Sequence, residues 1–335
     1  MINDTKDKKI KCLIVLGATA TGKSAFAVEL AKKLAQKEFK DQAGFHQFHP
    51  EIISADSRQV YKGLDIGSGK ITKEEMQCIP HHLIDVADPI AKNPYTVVNF
   101  ISDAKVAIQK IEANAKHAHG GQPNKIPLPI ICGGTGFYIS AFTNGIILPE
   151  TKPGSELSDE EKGLSAKELY ALLTTIDAKR AKEIGEHNKV RLMRALELAK
   201  SYGGKVPEIK KVPPANLQFL KIGLMYPIEI LRERIKTRLI ARINAGMIDE
   251  VRNLLAQGVS PERLKGFGLE YRYVLEHITS GTSVEELIDV LSHKIWQFAR
   301  RQMTWFKRDE EILWVDMSVT SEVEKVLGEV ERFLK

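Results

Sequence analysis

Gly17-Ala18-Thr19-Ala20-Thr21-Gly22-Lys23-Ser24 decides the fold. The apolar run 12–16 leads into it and a helix-periodic stretch, 25–34, follows. This G-x-x-x-x-G-K-[ST] spacing between a strand and a helix marks a phosphate-binding loop. Its glycines let the backbone curl, and successive N–H groups and the helix N-terminus converge on anionic oxygens. Lys23 adds a point charge, and the Ser24 hydroxyl can reach Mg²⁺. The loop does not specify which phosphorylated compound it holds.

Outward from the loop, strand-like apolar runs recur at 51–55, 82–86, 128–132, 217–225 and 311–316, besides 11–16. Helical patterns separate them, at 23–35, 96–115, 135–142, 227–245, 248–257 and 284–306. Short buried strands alternating with helices predict an α/β fold, a P-loop NTPase-like parallel sheet with helices on both faces. Two polar stretches, 36–50 and 116–127, read as surface loops. Their histidines His46, His49, His117 and His119 are expected in solvent, because no pattern of ligand partners accompanies them. From 149 to 215 the strands vanish and helices at 166–184 and 188–201 take over. The expected organisation is a first core part (1–148), a mainly helical insertion (149–215) and a second core part (216–335).

With 335 residues the chain can bury a sizeable core. A hydrophobic content of 43% and a charged content of 27% exclude a disordered chain. The polar, lysine-rich start and the lack of any run of ~18 apolar residues give no membrane element. Three dispersed cysteines, Cys12, Cys78 and Cys132, exclude a disulfide framework or zinc site and fit a cytoplasmic setting. No pairing helix is evident, so a monomer is expected. The net charge of +6 is mild, and its placement matters more. Between His187 and Lys211 seven basic residues, among them Arg191 and Arg194, face two acids. A second basic stretch, 293–308, interleaves Arg300 and Arg301 with Trp296, Phe298, Trp305 and Phe306. That composition suits phosphate contacts and base stacking, or a helix that buries aromatics and solvates its basic ends.

Asp56 ends the strand after the phosphate loop. Ligands of such sheets bind beyond the carboxyl ends of the strands, which places Asp56 beside the loop either as a metal-holding acid or as a general base. The Cys132-Gly-Gly-Thr-Gly run permits close backbone approach to a ligand, with the Thr135 hydroxyl facing the same crevice. His81 and His82 point to opposite sides of a strand and do not share a metal. Arg234 and Arg238, one helical turn apart, can clamp a diphosphate or pair with Glu229 and Glu233.

Taken together, GATATGKS (17–24), SADSRQVYKGLDIGSGK (54–70), PHHLID (80–85), CGGTGFY (132–138), RLMRALE (191–197) and RRQMTWFKR (300–308) resemble the tRNA dimethylallyltransferase family over nearly the whole chain. The resemblance implies transfer of a dimethylallyl group from dimethylallyl diphosphate to N6 of the adenine just 3′ of the anticodon. The acceptors would be tRNAs reading codons that begin with U, and Mg²⁺ the cofactor. It implies that Asp56 is the catalytic base, that Thr135 faces the tRNA, and that Asp56, Ser57, Arg58 and Gln59 read the base. Gly17 to Ser24, with Arg234 and Arg238, would hold the diphosphate, Lys23 would stabilise its departure, and Arg191, Arg194, Arg300 and Arg301 would grip tRNA. Two segments depart from the family pattern. Gly268-Leu-Glu-Tyr-Arg272 replaces a shorter glycine–tyrosine–basic motif, and 186–191 lacks the proline and aspartate often found there. No cysteine–histidine finger follows Lys335, which implies the bacterial type. Alternatives are a small-molecule kinase, a prenyltransferase of free adenine nucleotides, or a nucleic-acid-binding switch.

Overall fold

The computed structural model describes residues 9–41, 44–117 and 125–335. The chain opens with β1 (Ile10–Gly17), the phosphate loop and α1 (Lys23–Gln36). A hairpin follows, β2 (Glu38–Asp41) and β3 (Gly44–Ser54), then α2 (Lys73–Met76), β4 (His81–His82), α3 (Val97–His117), β5 (Lys125–Gly133) and α4 (Gly136–Thr143). Next come β6 (Ile146–Ile147), α5 (Asp159–Gly163), α6 (Ala166–Ile176), α7 (Ala178–Ile184), α8 (Lys189–Ser201) and β7 (Lys210–Lys211). The chain then forms β8 (Leu217–Met225), α9 (Ile228–Asn244), α10 (Met247–Ala256), α11 (Pro261–Gly266), α12 (Leu269–Ser280), α13 (Val284–Phe306), β9 (Ile312–Asp316) and α14 (Thr320–Leu334).

The described residues divide into two compact units, one running to Thr143 and resuming at Pro214, the other Asn144–Pro213. In the first unit the sheet order is β2-β3-β5-β1-β8-β9, with β4 also on β3. Every pairing is parallel except β2 with β3. Alternation along β1 shows why both faces are covered. Leu13 and Val15 pack with α1 and α14, whereas Cys12, Ile14 and Leu16 pack with α3 and α4. A third apolar cluster gathers the helices α9 to α13 around Tyr271, Leu239 and Ile295. Because β5 and β3 lie on one side of β1 and β8 on the other, strand order reverses at β1, where such sheets open a crevice. In the second unit β6 and β7 pair antiparallel, and α6, α7 and α8 pack around Leu169, Leu173, Leu192 and Leu196.

Several elements differ from the sequence expectation. Within the 36–50 stretch, 38–41 and 44–50 are strand, not loop. His46 is buried there, 7% exposed, between Phe39 and Phe48, and His49 bonds Glu51 at 2.9 Å. Alternating residues on an edge hairpin have an apolar side that a polar composition conceals. The side chain of His117, as well as His119 and the rest of 118–124, lies outside the described residues, as does 1–8 of the polar start. The expected 82–86 strand shortens to two residues because Leu83 and Asp85 turn left-handed, at φ 63° and 56°. The expected 166–184 helix breaks at Asp177, whose carboxylate caps α7 through Arg180 N–H at 2.9 Å. The 149–215 stretch, expected without strands, contains β7, which its partner β6 meets at 146–147. Four helices stand where two were expected, and α2, α11, α12 and α14 also go beyond the expected set.

Glu51, 1% exposed, is held on the edge of the sheet by His49, His82 (2.5 Å) and Asn114 (2.9 Å). Burial alone would raise its pKa, but these bonds outweigh it and hold the carboxyl well below the usual range. A carboxyl depressed by folding contributes stability above its unfolded value of about 4.3, and that stability drains away as pH falls below it. Urea titrations should therefore show a steep acid limb that Glu51→Gln flattens; an identical limb in the variant would contradict the assignment.

Candidate functional site

A cleft of ≈ 660 Å³ opens at the carboxyl end of β1, β3 and β5. Its floor is the phosphate loop. Gly17 must lack a side chain, since a Cβ there would stand 2.5 Å from the Leu224 carbonyl on β8. Gly22 turns left-handed at φ 84° to start α1. Ala20 adopts the same region at φ 63°, a conformation costing roughly 1 kcal/mol. Its carbonyl accepts from Arg234 Nε at 2.9 Å, which helps hold the loop in that shape. Lys23 Nζ donates to the Ala18 carbonyl at 2.7 Å, and Thr21 Oγ1 does so at 2.9 Å. Burial, with repulsion from Arg238, lowers the Lys23 ammonium to about 8.

Asp56 faces this floor. Its Oδ1 accepts the N–H groups of Arg58 (2.8 Å) and Gln59 (3.3 Å), which locks the turn after β3. Thr135 Oγ1 accepts from Ser57 N–H at 3.0 Å, so the β3 and β5 turns are fastened to each other. The approach is close because Gly133 has no side chain; a Cβ would stand 2.1 Å from the Ala55 carbonyl. Arg238 lines the cleft with Arg234, and burial followed by Arg242 lowers its guanidinium to about 10. Arg234 also stacks over Tyr226, 4.5 Å from the ring centroid. Neither arginine is paired with Glu229 or Glu233 among the described residues; their spacing aims both at the cleft. Phe137, Phe298 and Trp305 supply an aromatic wall, Phe137 meeting Trp305 edge-on at 6.2 Å.

All of 56–59, Thr135, Lys23, Ser24, Arg234, Arg238 and Arg301 line this cleft. Arg300 is exposed one residue away and does not line it. Arg191 and Arg194 are exposed on α8 of the second unit, Arg194 bonding Thr151 at 3.0 Å. Of the four aromatics in the 293–308 stretch only Phe298, Trp305 and Phe306 reach the cleft, and Phe306 is core, 3% exposed.

Three residues were not singled out from the sequence. Gln302, 9% exposed, accepts from Thr19 N–H at 2.9 Å and donates to the Gly134 carbonyl at 2.8 Å. One loop N–H is thereby committed to the protein, and α13 ties the β1 and β5 turns together. Arg242 follows Arg238 at the next turn of α9, a spacing that was the available signal. Glu270, whose carboxyl burial raises, lines the cleft 3.6 Å from Arg242, within the variant 268–272 segment.

A sequence model of the IPP transferase family matches residues 59–309, and an isopentenyl transferase model matches 10–92. A tRNA dimethylallyltransferase 2 of Treponema denticola is 40% identical over 315 residues, 92% of this chain and 96% of that protein. The chain belongs to the tRNA dimethylallyltransferase family. It is accordingly a prenyl-transferring enzyme with a P-loop NTPase-like fold. The tRNA dimethylallyltransferase 2 of Shewanella sediminis is 38% identical, across 90% of this chain and 91% of its own. The solved tRNA isopentenylpyrophosphate transferase of Bacillus halodurans superposes with a TM-score of 0.64 at 30% identity, covering 98% of this chain and 96% of that one. No helix among the described residues is long and apolar enough to cross a membrane.

Gln302→Leu removes two hydrogen bonds and leaves the Thr19 N–H and Gly134 carbonyl unsatisfied. Urea unfolding should show a loss of about 1–3 kcal/mol, and calorimetry a weaker affinity for inorganic diphosphate. Wild-type values in both would make Gln302 a bystander.

Proposed function

We propose that this family member transfers the dimethylallyl group of dimethylallyl diphosphate to N6 of the adenine immediately 3′ of the anticodon, in tRNAs reading codons that begin with U. The product is N6-dimethylallyladenosine. The observation that carries the reading is the shared cleft: the phosphate loop and its arginines form one end, and Asp56 with Thr135 stands at the same opening.

The chemistry follows from that arrangement. The diphosphate lies on the loop, held by Lys23, Arg234 and Arg238, so negative charge developing on the leaving oxygen meets fixed cations. The N6 lone pair attacks the first prenyl carbon as the carbon–oxygen bond to diphosphate breaks and its electron pair leaves with the diphosphate. Asp56, whose Oδ1 is occupied by the turn, takes the amine proton on Oδ2. Thr135 and Arg58 hold the base, and the aromatic wall covers the prenyl tail and keeps water from the reacting carbon. Because a stacked base cannot reach this depth, the adenine enters extruded from its loop. Arg191, Arg194, Arg300 and Arg301 grip the RNA phosphates, with the helical insertion serving as a tRNA-binding element.

Mg²⁺ fits the donor set. The Ser24 hydroxyl is a hard oxygen lining the cleft at the phosphate loop, and such an ion takes only one or two protein ligands beside substrate phosphates. No cluster of three acids, histidines or cysteines that could hold a metal ion by itself occurs among the described residues. Bound there, it neutralises phosphate charge.

Incubation of the enzyme with labelled dimethylallyl diphosphate, Mg²⁺ and unmodified tRNA should place label in the tRNA. Label in AMP instead, or in neither, overturns the reading. Asp56→Asn should slow single-turnover transfer about a hundredfold or more while tRNA affinity is retained. Equal rates would remove Asp56 from its role as base.

A further inference from the structure

The Glu250 carboxylate on α10 makes more hydrogen bonds than any step above requires. Its Oε2 accepts the N–H groups of Asp65 (2.9 Å) and Ile66 (2.6 Å). Its Oε1 accepts the Gly67 N–H at 2.9 Å and the Tyr271 hydroxyl at 2.9 Å. Three consecutive backbone N–H groups converging on one anion form a nest, the geometry that elsewhere captures a phosphate. Here the anion comes from the protein's own chain, 183 to 185 residues further along.

The loop so captured is thin on both sides. A Cβ at Gly67 would stand 2.8 Å from the Tyr271 ring and 3.2 Å from Glu250 Oε1. A Cβ at Gly69 would stand 1.7 Å from Arg242 Nη2 and 2.9 Å from Arg238 Nη2. One glycine therefore lies against the anchor and the other against the arginines. Arg242 Nη1 also donates to the Gly67 carbonyl at 3.4 Å, and Gly67, Ser68 and Gly69 all line the cleft. A guanidinium pressed on backbone has few rotamers left, so its entropy cost is met before any ligand arrives.

We infer that Glu250 is a positioning residue for diphosphate: through the 65–69 loop it fixes Arg238 and Arg242 at the cleft. The inference rests on the reading that the cleft takes a diphosphate. Glu250→Gln keeps the size of the side chain but turns an NH₂ against backbone donors, and the loop comes free. Glu250 is not proposed to touch substrate, and its effect travels through the arginines.

The test is calorimetric titration of inorganic diphosphate with Mg²⁺ into wild-type enzyme, Glu250→Gln, Arg242→Ala and the double variant, joined to steady-state kinetics. Glu250→Gln should raise Kd about tenfold, and raise KM for dimethylallyl diphosphate more than it lowers kcat. The double variant should lose less than the sum of the two single losses, because Glu250 acts in part through Arg242. Glu250→Asp should recover part of the loss. An unchanged Kd, or additive effects in the double variant, overturns the inference. Wild-type enzyme that fails to bind diphosphate overturns the functional reading itself. Should Glu250→Gln not fold, Tyr271→Phe removes a single bond from Oε1 and should raise Kd two- to threefold; no rise overturns the inference.

Discussion

Keeping several cations close together and partly out of water is the constraint on which this structure turns. Lys23, Arg234, Arg238 and Arg242 share one cleft. The cost is visible in Lys23, lowered to about 8 by burial, and in Arg238, lowered to about 10 by burial and Arg242. Such a cluster disperses unless its neighbours forbid it. Ala20 lends a carbonyl to Arg234, Tyr226 a ring face, Gly67 a carbonyl to Arg242, and Glu270 a nearby carboxyl. Repulsion stored in this way is relieved by a multiply charged anion.

The parallel sheet makes this crowding possible. Strand order reverses at β1, so the loop after it has open space on either side, and the turns after β3 and β5 close in from one flank. The missing side chain at Gly133 sets how near those turns come. Helix α13 then spans the gap with Gln302. The aromatic residues of the same helix form the apolar wall, so one element serves both the polar floor and the greasy side of the cleft.

Much of this was legible in the sequence because its signals are local. The phosphate loop is eight consecutive residues, and the 284–306 helix announces itself through its apolar period. Asp56 and Thr135 follow from where strands end. What stayed hidden depends on tertiary context. The 38–50 hairpin looked polar because one face of an edge pair can bury a histidine between phenylalanines. The histidine pair looked like part of a full strand, but left-handed turns at Leu83 and Asp85 stop it. Gln302 and Glu250 carried no signal of their own, since the backbone groups they bond lie more than a hundred residues away. Arg242 could have been found by continuing the four-residue spacing of Arg234 and Arg238 one turn further.

The bond from Thr19 to Gln302 spans 283 residues of chain. At a synthesis rate of 5–20 residues per second, the phosphate loop leaves the ribosome about 15–60 s before its partner does. During that interval the loop has its strand and its helix but not the brace across its mouth. The brace between the β1 and β5 turns is therefore assembled only after α13 has emerged.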